Sequence, residues 1–459
     1  MSFLLKNNGI GLLTINYRLE TLKRKASRAR FYGLWSIVYG LWSVVFILGL
    51  STTAYSSDIY LGLTAHGNRM ELGMAGFVPV DGTVEEAKYG RLIQDVLRND
   101  LLFSRYFNLI EDGPLYTGKD TELVDWQDKG ANVLVCGKIS LSGRSIELTG
   151  QLFDVYGKSI IWEKVFKGDI DDIRAIAHEL NDDMIFRFTG EKGIAHTKIA
   201  FTNNGTGSKE LYVIDYDGYN PRRITDDRSI NILPKWSPDG KEILFTTYKY
   251  GNPDLYSISP TGGSRKAVST RQGLNTAGSF SPDGKQIALT LSRGDFPNIY
   301  ILGRDGRQDR QLTFGRAIAT SPYFAPNGKE IVFVCDRPGY PQLYIMNLDG
   351  GNMRRLTTQG FCDSPCWSPR GDKIAFSQRV DDRNGYEIFM YDLNTLKSIR
   401  LTFNPGNDEN PSFSPDGRFV VFTSTKAGKK EIHVMAIDGS GLRKIGDLPG
   451  SSTTPSWAP

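Results

Sequence analysis

The sequence predicts a mainly β protein, a six-bladed β-propeller preceded by a small α/β domain, and three observations predict it. A phrase of aromatic, Ser or Ala, Pro, any residue, Gly recurs through the second half at steps near 44 residues. Each recurrence is followed by further short runs rich in Ile, Val, Tyr and Phe, bounded by Gly, Pro, Asn and Asp, which are strand signals. Residues 65–193 carry no such repeat and mix helical with strand periodicity.

The repeat heads are WSPDGKEILF from Trp236, FSPDGKQIAL from Phe280, FAPNGKEIVF from Phe324, WSPRGDKIAF from Trp367 and FSPDGRFVVF from Phe413, with Trp457, Ala458 and Pro459 as a sixth. Their second residues stand at 237, 281, 325, 368, 414 and 458, giving steps of 44, 44, 43, 46 and 44. A second phrase follows about twenty residues on, as in DLYSISPTGG, NIYILGRDG, QLYIMNLDG and EIHVMAIDG. Four strands in a unit of this length match a propeller blade. In the head turn Pro presets φ, Asp suits the next position, and Gly takes the left-handed conformation that lets the following strand pair back.

The last head has no body, and the stretch 197–225, TKIAFTNNGTGSKELYVIDYDGYNPRRIT, has a body without a head. Thr453–Pro459 therefore supply the inner strand of a sixth blade begun at Lys198, with Trp457 packed as Trp236 and Trp367 are. Closing the ring this way removes exposed blade edges. The propeller is expected over 194–459.

Ahead of it, GMAGFVPVDG reads as strand and turn. TVEEAKYGRLIQDVLRNDLLFS reads as a helix capped by Thr83, with Ala87, Leu92, Ile93, Val96 and Leu101 near its apolar face. ANVLVCGKIS, SIELTGQLFDV and KSIIWEKVFKG read as strands, and DDIRAIAHELNDDMIFRF as a second helix. At the start of the chain, LKRKASRARF places five basic residues before an apolar run from Gly33 to Leu50, followed by STTAYSS. That order is a secretory signal over 1–54 or an uncleaved anchor, and both place the remainder outside the cytoplasm.

A composition of 40% hydrophobic and 23% charged residues with a net charge of +4 is globular, and it carries no basic footprint for nucleic acid. Cys136, Cys335, Cys362 and Cys366 show no Cys-x-x-Cys spacing; Cys362 and Cys366 either bridge or stay as buried thiols. No Gly-x-Ser-x-Gly elbow, His-Glu-x-x-His or phosphate-binding Gly-rich loop occurs, so no catalytic set, metal site or cofactor is expected. His66, His178, His196 and His433 read as structural or solvated. The Arg370–Asp372 tripeptide RGD reads as a head turn rather than an adhesion motif.

What remains is surface. Connections between blades crowd one face of a propeller around its central channel. Here they are DDRSINIL, TRQGLNTA, FGRAIATS, TQGFCDS, FNPGNDEN and GDLPGSST, which differ from one another while the blades repeat.

Over nearly the whole of its length beyond the leader the sequence resembles the TolB family of the bacterial Tol-Pal envelope system. The resemblance rests on the heads, on FTGEKGIAHTKIAF running into YVIDYDGYNPRRIT, on the terminal PSWAP, and on DVLRNDLLFSRYFNLI and VDWQDKGANVLVCGKI in the preceding domain. It implies a non-enzymatic, monomeric periplasmic protein that reaches membranes through its partners and supports outer-membrane integrity, cell division and protein import. It also implies that the channel mouth binds the lipoprotein Pal and that a stretch over 55–64 communicates with TolA. Aligning heads puts the Pal-binding positions just before the first strand of each blade, at Leu274, Ala277 and Thr320, with Asn231, Asp363 and Glu409 in comparable loops; Leu274 stands where the family usually has His. The TolA-facing residues would include Asp58, Ile59 and Tyr60. The competing readings are the propeller of a peptidase-like protein and a propeller that binds a glycan or solute.

Overall fold

The computed structural model describes residues 69–380, 385–403 and 405–459, so the leader and Asp58, Ile59 and Tyr60 lie outside the described residues. Among the described residues no helix is long and apolar enough to cross a membrane.

Six four-stranded antiparallel sheets form the propeller. The inner strands are Asn231–Trp236, Asn275–Phe280, Ala319–Phe324, Phe361–Trp367, Asp408–Phe413 and Ser452–Trp457. In the sixth blade Ser452–Trp457 pairs with Lys198–Asn203, Trp457 opposite Ile199 and Ser452 opposite Asn203. Glu210–Asp215 and Arg222–Arg223 complete that sheet. Trp457 is buried; its indole N–H donates to Thr197 Oγ1 (2.8 Å), and its backbone N–H donates to Ser412 Oγ of the preceding blade (3.1 Å).

The head turn closes as its chemistry requires. In the first blade the Ser237 hydroxyl donates to Asp239 Oδ1 (2.6 Å) and accepts from Glu242 N–H (2.9 Å), while Gly240 sits at φ +67°. The turns at Ser281 and Ser414 repeat the arrangement.

The preceding domain has strands β1 (Met70–Pro79), β2 (Phe107–Ile110), β3 (Val133–Ser142), β4 (Ser145–Asp154) and β5 (Ser159–Asp169) and helices α1 (Val84–Ser104), α2 (Asp120–Asp128) and α3 (Ile173–Thr189). The sheet order is β2-β1-β3-β4-β5, with β1 parallel to both neighbours and β3 to β5 a meander. Alternation along β3 sends Val133, Val135 and Ile139 to the face covered by α1 and α3, and Leu134 and Cys136 to the face covered by α2 through Leu123 and Trp126. Because both faces are covered, the strand reads as a continuous apolar run. Thr83 caps α1 in a capping box with Glu86. The expected apolar face needs one correction: Leu92 is exposed and Leu97 is buried, since the buried stripe runs Ile93, Val96, Leu97, Leu101.

The four cysteines are free and buried. Positions four apart on a regular strand would share a face. A bulge between Asp363 and Cys366 reverses the alternation, sending Cys362 into the core with Ala325 and Val332 and Cys366 into that with Ile388 and Phe422.

The two domains meet at the head turns of the fourth and fifth blades. Phe103 of α1 stacks on Phe419 with ring centres 4.2 Å apart, and Arg418 donates to Ser104 O (2.6 Å). Arg370, the first residue of the RGD turn, makes a two-pronged ion pair with Glu191 (2.9 and 3.0 Å), so that turn is committed to the domain joint.

Candidate docking site at the propeller channel

Each inner strand enters the channel wall from an interblade loop, and its third residue, the fourth in Phe361–Trp367, has positive φ: Leu233, Ala277, Ser321, Ser364, Asn410 and Thr454, at 51–57°. For residues other than glycine this costs on the order of 1 kcal/mol each. A β-bulge follows in every blade, and the next residue is Pro in five of them, which suits a position with no ladder partner for its N–H. In three blades the strained residue is tied to the preceding blade. Ser321 N–H donates to Thr290 Oγ1 (3.3 Å), Asn410 N–H to Ser377 Oγ (3.0 Å) and Thr454 N–H to Thr423 Oγ1 (3.0 Å). Thr290, Ser377 and Thr423, which accept these bonds, and Thr202 and Thr246 are buried hydroxyls on the second strands of five blades; they were not singled out from the sequence, although they recur with the period of the heads.

The expected partner-binding residues gather at this end of the channel at different depths. Leu274 precedes its inner strand and is half-buried; its N–H donates to Ser292 Oγ (2.8 Å) and its carbonyl accepts from Ser292 N–H (3.2 Å). The others lie within the inner strands rather than just before them, because the strands begin earlier than the heads suggest. Thr320 and Glu409 hold the second position of their strands, and Ala277 and Asp363 the third. Glu409 pairs with Lys430 (3.0 Å), and Asp363 faces Ser321 Oγ of the neighbouring blade (3.4 Å). Asn231 is wholly buried, its amide donating to Lys209 O (3.2 Å) and Glu210 Oε2 (3.0 Å), so it holds the loop beneath the face and does not lie on it.

Around the mouth the interblade loops and the hairpins between second and third strands expose large apolar side chains. Ile230, Ile318 and Phe361 stand one residue apart from the inner strands or at their start, Phe314 and Phe403 project from the loops, and Tyr250 from a hairpin, with exposures from 41% to 71%. Apolar groups gathered on one face in this way mark an interaction surface. The loops were legible as a divergent face; that their aromatics point outward was not, because an isolated Phe in a loop packs inward as readily.

Burial within the channel sets the charges there. Asp363 is open to water but walled by protein, and burial pushes its carboxyl up, with Glu409 adding to the effect and bonds from Ser364 and Ser321 opposing it. Deeper in, Tyr323 is raised well above the usual phenol range by Cys366 and by burial, and burial lowers the Lys235 ammonium.

Among the described residues one trio could offer metal ligands: Asp100, His178 and Asp217, at the domain joint. Its carboxylates and His178 Nδ1 are already engaged, while His178 Nε2 lies 3.6 Å from Asp217 Oδ2 without a hydrogen bond. Asp100 accepts from Tyr216 and lies 2.7 Å from His178 Nδ1, and Asp217 is paired with Arg174. Burial pushes the Asp100 carboxyl up, and Arg443 stacks 3.8 Å over Phe103 beside it. The cluster is a polar peg between the domains, as the structural reading of His178 expects.

Comparison with known proteins follows this architecture. A family described as the TolB amino-terminal domain matches residues 66–161, and one described as the TolB beta propeller domain matches residues 186–459. The chain is 37% identical over 182 residues to the Tol-Pal system protein TolB of Desulfosudis oleivorans, covering 38% of this chain and 42% of that protein. It is 38% identical over 196 residues to that of Geobacter sulfurreducens, covering 41% and 45%. The aligned stretch thus spans less than half the length of these relatives. The crystal structure of TolB from Acinetobacter baumannii superposes with a TM-score of 0.74 at 27% identity, covering 86% of this chain and 97% of that one. With one model matching the α/β domain and another the entire propeller, the chain belongs to the TolB family.

Proposed function

We propose that this protein is a non-enzymatic periplasmic scaffold of the Tol-Pal system. It docks the lipoprotein Pal on the interblade-loop face of its propeller and communicates with TolA through residues 55–64, including Asp58, Ile59 and Tyr60, in support of outer-membrane integrity and cell division. Family membership supports the system, since the relatives bear the name Tol-Pal system protein TolB. The single observation that carries the docking face is the set of exposed apolar residues around the mouth, Ile230, Phe314, Ile318, Phe361 and Phe403 among them. Leu274, Ala277, Thr320, Asp363 and Glu409 lie inside that rim, where Thr320, Asp363 and Glu409 give it polar specificity, while Asn231 supports the loop from below.

The test is binding of the cognate Pal by calorimetry to the wild type and to Thr320→Arg with Ala277→Arg. The equivalents of Ala277 in other blades are Leu, Ser, Asn and Thr at the same φ, so its backbone accepts a larger side chain. Two added charges should weaken binding at least about tenfold, ~1.4 kcal/mol, with the melting temperature unchanged. Undiminished binding by a folded double variant would remove Pal from this face.

A further inference from the structure

The other end of the channel, on the side of the head turns, is a cavity of about 300 Å³. One aromatic side chain from each blade contributes to its wall: Trp236, Phe280, Phe324, Trp367, Phe413 and Trp457. Hydroxyls of Ser279, Ser412 and Ser456 and the prolines of the heads complete it. At its deep end Lys235 and Tyr323 line both this cavity and the loop-side passage, and so form the waist between them.

The residue just before the closing aromatic of the inner strand is Lys235 in one blade and Ser279, Tyr323, Cys366, Ser412 and Ser456 in the others. Lys235 therefore supplies the one ammonium of this ring. Its Nζ lies 5.6 Å from the centre of the Tyr323 ring, and among the described residues no carboxylate acts on it. An enclosed charge with no counter-charge is costly and is relieved by a partner of opposite sign.

We propose that this cavity binds a small organic anion, a carboxylate or sulfonate carried on a flat apolar body, with the anionic group at Lys235 and the body against the aromatic collar. A volume of this size takes a body of one or two rings, and an apolar wall with a few convergent polar groups is the usual make-up of a small-molecule site. The ammonium discriminates charge and the collar discriminates shape. The site is separate from the face proposed for Pal, and either can fail without the other.

The probes are phenylacetate, its neutral counterpart phenylacetamide, and inorganic sulfate, titrated into the full chain by calorimetry. Tryptophan fluorescence gives a second readout, since Trp236, Trp367 and Trp457 are in the wall. Phenylacetate should bind and raise the melting temperature, and phenylacetamide and sulfate should each bind at least about tenfold more weakly. Lys235→Ser should abolish the preference for the acid over the amide, and Lys235→Arg should keep it. Serine already occupies this position in three other blades, so the Ser variant has precedent within the same fold. Equal binding of acid and amide to the wild type overturns the proposal without any variant. So does the absence of phenylacetate binding up to about 10 mM, beyond the range expected of an ion pair backed by an apolar wall. Sulfate binding as tightly as phenylacetate overturns recognition of the apolar body.

Discussion

Replacing Trp457 by Ala tests whether the ring is held shut by its last strand. The side chain is 5% exposed and sits in a core with Ile199, Phe201, Val421 and Val434, which spans the fifth and sixth blades. Truncating a buried Trp to Ala costs about 3–5 kcal/mol. The lost indole bond to Thr197 adds ~1 kcal/mol or less, because the Thr197 hydroxyl keeps its bond to Ile194 O (2.6 Å). For a domain of more than 200 residues, at about 2 °C per kcal/mol, the melting temperature should fall by roughly 6–12 °C. The control is Trp367→Ala, which removes an equally buried ring from a blade whose strands follow one another in sequence. Trp457 differs in that its strand is joined to Lys198–Asn203 by pairing alone, so losing the anchor should free the strand as well as hollow the core. Calorimetry reads the first effect, and limited proteolysis with mass analysis reads the second, as cleavage within 446–459 and 197–209 in the Trp457 variant only. A fall of less than about 2 °C, or identical melting and cleavage in the two variants, would refute closure by the last strand.

Arg370→Ala removes a half-exposed ion pair to Glu191, so global stability should change by at most ~1 kcal/mol in a denaturant titration, while hydrogen exchange at the domain joint increases. Asn231→Ala leaves the buried Glu210 carboxylate with fewer donors and should cost ~1–3 kcal/mol by the same titration. The added methyl in Gly137→Ala would lie 1.9 Å from Thr149 O, so the variant should unfold at lower denaturant or express poorly. His196 bonds to Asp182, which raises its pKa above the ordinary imidazole value. Its contribution to stability is therefore complete below about pH 6.5 and fades as pH rises through the raised value. An NMR titration should place that imidazole above the reference, and Asp182→Asn should bring it back down.

What could be read in the sequence is what local chemistry repeats. Pro and Gly in the head turns have one conformational consequence each, and six copies at a fixed period leave one architecture; the split sixth blade follows because each fragment lacks what the other has. In the preceding domain Thr83 marked the start of α1 for the same local reason. The segments that escaped notice lack such signals. β2 is four residues long and gains its place only by pairing with β1, and α2, DTELVDWQD, buries just Leu123 and Trp126, too few to set a helical period.

The channel was the hardest part to read, and the reason is physical. Its wall is built by backbone geometry that does not select residue type. The strained position is filled by Leu, Ala, Ser, Ser, Asn and Thr, where a local rule would lead one to expect Gly; at Ser321, Asn410 and Thr454 a bond from the neighbouring blade helps fix the conformation. Once tertiary contacts fix the backbone, the side chains that face the channel are free to differ from blade to blade. Lys235, Tyr323 and Cys366 occupy one structural position with three chemistries. The repeat that reveals the fold therefore hides the site, since what distinguishes one blade from the next lies at positions that alignment of the heads treats as equivalent. Both proposed sites rest on departures from the repeat: an ammonium where three other blades have serine, and phenylalanines exposed in loops that share no motif.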